Sequence, residues 1–169
     1  MNYLAVLEAT FVAHVVRPFS SRRQHEIISA PKVYAFDTGF VCYHRGLHDR
    51  RQEDLGMLRE HFVLNEMHAR LQSRDVRYWR DKRGPEVDFV LVGRGRPLLA
   101  IECKWSAHDF DWTNLRAFLG QYPRARGLVV AHDVTGRSTR RSGAITAMFV
   151  GISDLIEIVT GESPRPTAR

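Results

Sequence analysis

Three strand-length apolar runs crowded between Val76 and Trp105 constrain the fold more than any other feature of the chain. Val76–Arg80, Glu86–Val92 and Leu98–Trp105 are rich in aliphatic, β-branched and aromatic residues, the composition of strands. The segments between them, Asp81-Lys-Arg-Gly84 and Gly93-Arg-Gly-Arg96, read as hairpin turns. Ahead of the first run, Asp54–Ser73 carries the strongest helical pattern, with Asp54 as its expected N-cap before Leu55, Leu58 and Phe62. Behind the third, a second helix is predicted over Trp112–Gly120, stopped by Gly120 and Pro123, and then a fully apolar strand over Gly127–Ala131. The order helix, three strands, helix, strand predicts an α/β layer with a mixed sheet. Hairpins join the first three strands and a helical crossover reaches the fourth.

The flanks are less regular. Asn2–Ala9 has helical spacing, and Thr10–Arg17 reads as a strand ending at Pro18. A polar stretch from Ser20 to Glu26 carries Arg22 and Arg23, and Lys32–Phe36 reads as a second strand. Cys42–Glu53 and Arg137–Ser142 read as polar loops, Ile145–Val150 as a strand and Ser153–Ile158 as a short helix, with a frayed tail beyond Gly161. The expected division is an N-terminal segment over residues 1–50, the α/β domain over 51–160 and a tail over 161–169.

Composition narrows the class. At 169 residues with 44% apolar and 26% charged, the chain has ordinary globular composition, which excludes disorder as its main state. A domain of this size buries roughly 70% of its unfolded surface and needs neither disulfide nor structural metal. No run approaches the roughly 18 to 20 apolar residues of a membrane span, so no membrane partner is expected. Two cysteines, Cys42 and Cys103, make no disulfide framework, and a reducing, cytoplasmic setting is the expectation. The net charge of +6 suits a polyanion binder. Lysine, however, supplies only three of the 25 basic residues, a skew that coding bias explains as readily as phosphate recognition. Charge alone decides nothing. The scarcity of lysine does single out Lys104, which lies inside an apolar run.

The chemistry concentrates in Glu86-Val-Asp88-Phe-Val-Leu-Val and Leu99-Ala-Ile-Glu102-Cys-Lys104-Trp. Strand alternation puts Glu102 and Lys104 on one face, with Ile101, Cys103 and Trp105 on the other. The same alternation groups Glu86, Asp88 and Val90 on one face of the preceding strand. A same-face ion pair and a strand-end cap would account for each acid singly. The joint pattern points further, because clustered buried carboxylates repel and need a divalent cation or a fixed lysine to neutralise them. Hard oxygen ligands of this kind favour Mg²⁺ or Mn²⁺. A zinc site at Cys42, His44 and His48 has too few neighbours. Tyr78, Trp79, Trp105 and Trp112 are better read as packing than as base-stacking groups.

Asp88 and Glu102-Cys-Lys104, behind a glutamate-bearing helix, resemble the signature of the PD-(D/E)XK nuclease superfamily, which includes restriction endonucleases and Holliday-junction resolvases; Glu86-Val stands where a proline often precedes the aspartate. More narrowly, Pro31–Gly39, Gly56–Val63 with Asn65-Glu66, Tyr78-Trp-Arg80, Glu86–Phe89 and Ile101–Lys104 resemble the C-terminal domain of unknown function of prokaryotic AAA-type ATPases. The resemblance runs from about Tyr3 to Ala131. It implies a restriction-endonuclease-like core with an N-terminal winged-helix-like remnant, which makes Met1 a candidate truncation point. It also implies an ATPase module that this chain does not encode, since no Gly-x4-Gly-Lys-Ser/Thr occurs.

What the resemblance implies for function is metal-dependent hydrolysis of a DNA phosphodiester. Asp88 and Glu102 would hold Mg²⁺ or Mn²⁺, Lys104 would position the attacking water, and Glu86 would be an accessory acid. A helical acid completes the set. Periodicity sets Glu60 among Met57, Leu64, Met67 and Leu71, and Glu66 near Leu55 and Phe62, so both lie on apolar sectors. The resolvase pattern of a glycine followed four residues later by glutamate, here Gly56 and Glu60, favours Glu60. Arg22, Arg23, Arg137, Arg140 and Arg141 are candidate phosphate contacts. A homodimer is compatible with two-strand cleavage. The alternative is a catalytically inactive binding or regulatory module that docks on an ATPase or another protein. An RNA-binding reading has only charge behind it.

Overall fold

The computed structural model describes residues 3–19, 30–47, 51–71, 75–93 and 97–161. Among these described residues it is a mixed α/β fold with one eight-stranded sheet and five α-helices. In chain order these are α1 (Tyr3–Ala9), β1 (Ala13–Pro18), β2 (Lys32–Ala35), α2 (Thr38–Arg45), α3 (Gln52–Leu71), β3 (Val76–Arg80), β4 (Glu86–Leu91) and β5 (Leu99–Cys103). A single 3-10 turn at Ala107–Asp109 leads to α4 (Thr113–Gln121), β6 (Arg126–Val130), β7 (Ser138–Ser142), β8 (Ile145–Val150) and α5 (Ile152–Thr160). The strand order is β2-β1-β3-β4-β5-β6-β8-β7. Antiparallel hairpins join β3, β4 and β5, and α4 carries the chain across to β6, which runs parallel to β5. That central order is the one the apolar runs predict.

Each face of the sheet is covered. On one, Val63, Leu64 and Met67 of α3 and Leu155 and Val159 of α5 pack on Phe89, Ile101, Leu128 and Val130. On the other, Leu115 and Phe118 of α4 pack on Val87, Val90, Ala100 and Val129. Burial on both faces explains why β5 and β6 are almost wholly apolar rather than alternating. The N-terminal hairpin belongs to the same sheet: β1 runs parallel to β3, pairing Arg17 with Arg77 and Pro18 with Tyr78. Among the described residues no helix is long and apolar enough to cross a membrane.

Four local expectations are corrected. Residues 42–45 are the second half of α2 rather than a loop. Asp37 caps that helix by accepting the Gly39 N–H (2.7 Å) and the Phe40 N–H (3.1 Å), and Gly46 closes it in the left-handed region that glycine tolerates. Residues 138–142 form β7, an exposed edge strand whose polar sequence hides its pairing with β8; the two-residue turn at Gly143 sets the register. Asp54 lies inside α3, where its carboxylate reaches back to the Arg51 N–H at 3.0 Å, so position 51 occupies the cap. The fourth correction bears on the site. Arg77 pairs with Val90 and Trp79 with Val87, so Asp88 and Phe89 together face the single residue Tyr78. This β-bulge breaks the alternation. Val87 and Val90 pack on the α4 side and Phe89 on the α3 side, so Asp88 does not share a face with Val90 in the way a regular strand would require.

Candidate active site at the splayed ends of two strands

The bulge opens the sheet where the acids lie. The β4–β5 ladder runs from Leu91↔Leu99 to Phe89↔Ile101 and goes no further. Beyond it, the Cys103 N–H turns to a side chain instead of a strand carbonyl, donating to Asp88 Oδ2 at 2.8 Å. Asp88 thus replaces a rung of the sheet, and only 8% of it is exposed. On β5, Glu102 is completely buried. Lys104 Nζ lies 3.0 Å from Glu102 Oε2, but off the hydrogen-bonding direction, and neither Glu102 oxygen completes a well-formed hydrogen bond. Lys104 stands just past the strand end, its own N–H tied to Val130 O at 3.0 Å.

Helix α3 supplies the third carboxyl group. The stripe that faces the sheet includes Gly56, Arg59, Glu60, Val63, Leu64 and Met67, the spacing of one helical face. Glu60 therefore points at β4, where Tyr34 of β2 donates its hydroxyl to Glu60 Oε2 at 3.0 Å. Glu66 lies off that stripe. Glu86, at the start of β4, is engaged by two cations, Lys32 and Arg80, while its backbone N–H donates to Asn114 Oδ1 at 3.2 Å.

Burial and mutual repulsion set the electrostatics. Loss of water, then the Asp88 charge, pushes Glu60 up to about 7. The same two causes push Glu102 up to about 8, with Lys104 and Asn114 pulling the other way. Asp88 is raised by burial, against the opposing pull of Lys104 and the Cys103 N–H. Burial disfavours the Lys104 ammonium, yet Glu102 and Asp88 outweigh it and hold its pKa above the ordinary lysine value. Asp88 is the hub of this set, since it perturbs both glutamates. Among the described residues, no three Asp, Glu, His or Cys side chains are gathered as a ready set of metal ligands. What the site offers is two deeply buried carboxylates backed by a lysine. That donor set fits Mg²⁺ or Mn²⁺, which commonly take one or two carboxylates and fill the remaining positions with water. The Glu102 carboxyl group, fully buried with only Lys104 Nζ close to one oxygen, fits such an ion as well, because a buried charge needs compensation.

Several residues lie elsewhere. Arg22, Arg23 and His48 are outside the described residues, as is the tail beyond 161. Arg137 is held by Asp154 (2.8 Å) and Glu157 (2.5 Å) of α5. Arg140 lies over the Phe149 ring at 4.0 Å, and Arg141 donates to Gly143 O at 2.7 Å. Trp79 packs edge-on against Phe118 in the core, Trp105 stacks on His132, and Tyr78 donates to Ala30 O. Cys103, expected to face away from the acids, packs its side chain in the apolar cluster on the α3 side, and its thiol is pushed up by burial and then by Asp88, Glu60 and Glu102. Sequence reasoning missed Lys32, Tyr34 and Asn114, which hold Glu86 and Glu60 from outside the main motif. The rarity of lysine, which singles out Lys104, would have found Lys32 too.

Two family descriptions match the chain. A domain of unknown function, DUF4143, covers residues 55–148, and another, DUF8612, covers residues 1–51. The chain belongs to the DUF4143 family. Uncharacterized protein Rv2008c of Mycobacterium tuberculosis is 31% identical over 133 residues, which cover 76% of this chain and 30% of that protein. A homoserine kinase of Nitrobacter hamburgensis is 24% identical over 163 residues, covering 89% of this chain and 50% of that protein. The DUF4143 chain described here therefore spans about a third to a half of these relatives. Among solved structures, a Thermococcus gammatolerans assembly of McrB AAA+ hexamers with bound McrC aligns at 11% identity with a TM-score of 0.37, over 58% of this chain and 28% of that one.

Proposed function

We propose that this domain is a restriction-endonuclease-like module that binds DNA and hydrolyses a phosphodiester bond in the presence of Mg²⁺ or Mn²⁺. The observation that carries the reading is Glu102, a fully buried carboxyl group with no well-formed hydrogen bond, set beside Asp88 and Lys104 where β4 and β5 splay apart. A dication bound by Asp88 and Glu102 would polarise the phosphoryl oxygen and stabilise the leaving group. Lys104, kept charged by both acids, orients the attacking water and offsets the charge that builds up as it adds. Glu60, its carboxyl fixed by Tyr34, would help hold the ion. Glu86, paired with Lys32 and Arg80, holds the strand end in place. In this reading α1 with the β1–β2 hairpin is the winged-helix-like remnant. The test is cleavage of plasmid or branched DNA with Mn²⁺. Cleavage by the wild type should disappear in Asp88→Ala and Lys104→Ala, and equal activity in all three removes the assignment.

One observation favours a second reading. No ready set of three ligands is assembled among the described residues, and Glu86 is already neutralised by two cations. A catalytically inactive module docking on an AAA-type ATPase would tolerate both. Thermal denaturation separates the two: a working site is stabilised by Mn²⁺ in a way that Asp88→Asn abolishes, whereas an inactive module shows no such difference.

A further inference from the structure

Large apolar side chains are exposed in one part of the molecule only. Among the described residues, every one that is open to solvent lies between Tyr3 and Phe62; from Val63 to Gly161 they are buried or half-buried. Tyr3 and Tyr43 are each 78% exposed, Phe11 66% and Phe36 57%. The elements that carry them adjoin: α1 packs on β1, β1 pairs with β2, and α2 follows β2 directly. The Phe36 N–H donates to Val12 O at 3.1 Å, which sets Phe36 beside the turn that holds Phe11. Phe40 and Tyr43 both lie against the His44 ring. At Phe11 the backbone is left-handed, with φ at 59°, a conformation uncommon for a bulky residue. The turn fixes it there through the Val12 N–H on Leu7 O at 3.0 Å, although the ring stays in solvent. Strain kept at an exposed aromatic residue points to a contact made outside this chain.

The same region carries an open edge of the sheet. Among the described residues β2 is the last strand on that side, with Val33 exposed near its middle. The opposite edge, β7, is guarded by the exposed Arg140 and Arg141. β2 has only Lys32, which is turned to Glu86, and Glu8 of α1 is paired with Arg17 at 3.3 Å. The face therefore holds little of the net charge of +6, and two copies can meet on it without like-charge repulsion. Its size also suits a partner. At 150–250 Å² for a whole aromatic side chain, the exposed rings alone present roughly 700 Å². That exceeds the ~300–600 Å² patch of an ordinary monomer. With the aliphatic side chains added, it reaches the ~800 Å² that each partner brings to a stable complex.

We propose that this face is a two-fold interface with a second copy of the chain, in which β2 pairs antiparallel with β2 of the partner. An open edge is complementary to itself about a two-fold axis, because antiparallel strands exchange N–H and C=O groups symmetrically. Pairing joins the two sheets into one, and Phe11, Phe36 and Phe40 of each copy are covered beside the new ladder. The inference stands apart from the hydrolase reading and needs neither metal nor nucleic acid.

Light scattering and sedimentation of the 169-residue chain over a concentration series test this. The wild type should reach twice its chain mass of 19.4 kDa, and its melting temperature should rise with protein concentration. Val33→Lys, which puts a guarding charge on the edge, and Phe36→Ser should each weaken association by about tenfold or more. Both side chains are more than half exposed, so the circular dichroism of the variants should match the wild type. Thr139→Lys, on the β7 edge, is the control and should leave the dimer intact. The concentration series of the wild type needs no variant, so a misfolded variant cannot mask the result. A wild type that stays at 19.4 kDa throughout overturns the proposal and leaves the face to parts of the longer relatives that this chain does not match. A dimer broken by Thr139→Lys but not by Val33→Lys also overturns it, by moving the contact to β7. So does association without a defined mass, which makes the face an aggregation surface.

Discussion

At the scale of single residues, the site is governed by protons held against their ordinary preference. Glu60 and Glu102 titrate at about 7 and about 8 in the folded protein, against 4.5 for an unperturbed glutamate. Between those limits the folded chain keeps protons that the unfolded chain has released, so stability falls as pH rises. The contribution is fully present below about pH 4.5 and gone above about pH 8. In EDTA, the unfolding free energy from urea titrations should decrease from pH 5 to pH 8 by an amount on the order of a few kcal/mol. Glu102→Gln, which cannot ionise, should flatten most of that slope; an unchanged slope would place the proton elsewhere. Asp88, Glu102 and Lys104 were legible in the sequence as residue types at a spacing. Their mutual perturbation was not, because it depends on how much water each has lost.

At the scale of elements, the decisive device is the bulge at Asp88 and Phe89, which ends the β4–β5 ladder early and frees the Cys103 N–H for a carboxylate. Nothing in Glu-Val-Asp-Phe-Val-Leu announces it, since a bulge is a relation between two strands and period-two alternation sees one. The same limit hid β7, whose Ser-Thr-Arg-Arg-Ser pairs through its backbone on an exposed edge. Charged residues there also guard the edge against a further strand. The approach of α5 to the sheet gives an element-scale test. A Cβ at Gly151, which starts that helix, would lie 2.7 Å from the Val134 carbonyl oxygen, a contact between two backbones that no rotamer relieves. Gly151→Ala should therefore lower stability by roughly 1–3 kcal/mol, the usual range for an overpacked site, measured as a fall in melting temperature. A neutral result would mean that the loop carrying Val134 yields easily.

At the scale of the whole molecule, the family boundaries and the folding unit do not coincide. The DUF4143 match stops at residue 148, inside β8, and leaves out α5. Yet Leu155 and Val159 of α5 are buried in the same cluster as Val63, Phe89 and Ile101. The DUF8612 match ends at residue 51, but its β1 pairs with β3, its Tyr34 holds Glu60 and its Lys32 holds Glu86. A fragment limited to residues 55–148 should therefore lack a cooperative thermal transition, while the 169-residue chain has one, as calorimetry would show. A fragment that melts sharply within a few degrees of the whole chain would show that the flanking elements only decorate a complete core.

The sequence by itself determined what period and composition can carry: the central order of helix, three strands, helix and strand, the burial of β5 and β6 on both faces, and the acid and lysine types that β4 and β5 deliver. These survive because apolar periodicity is a local property, written in consecutive residues. Only the tertiary structure decided that Asp88 leaves its expected face, that Glu86 is neutralised by Lys32 and Arg80, that Tyr34 fixes Glu60, and that Arg59 is buried with its Nε and Nη2 lacking hydrogen bonds. Each of these depends on residues far apart in the chain, and their energies come from dehydration and charge at distances that no spacing along one strand or helix encodes.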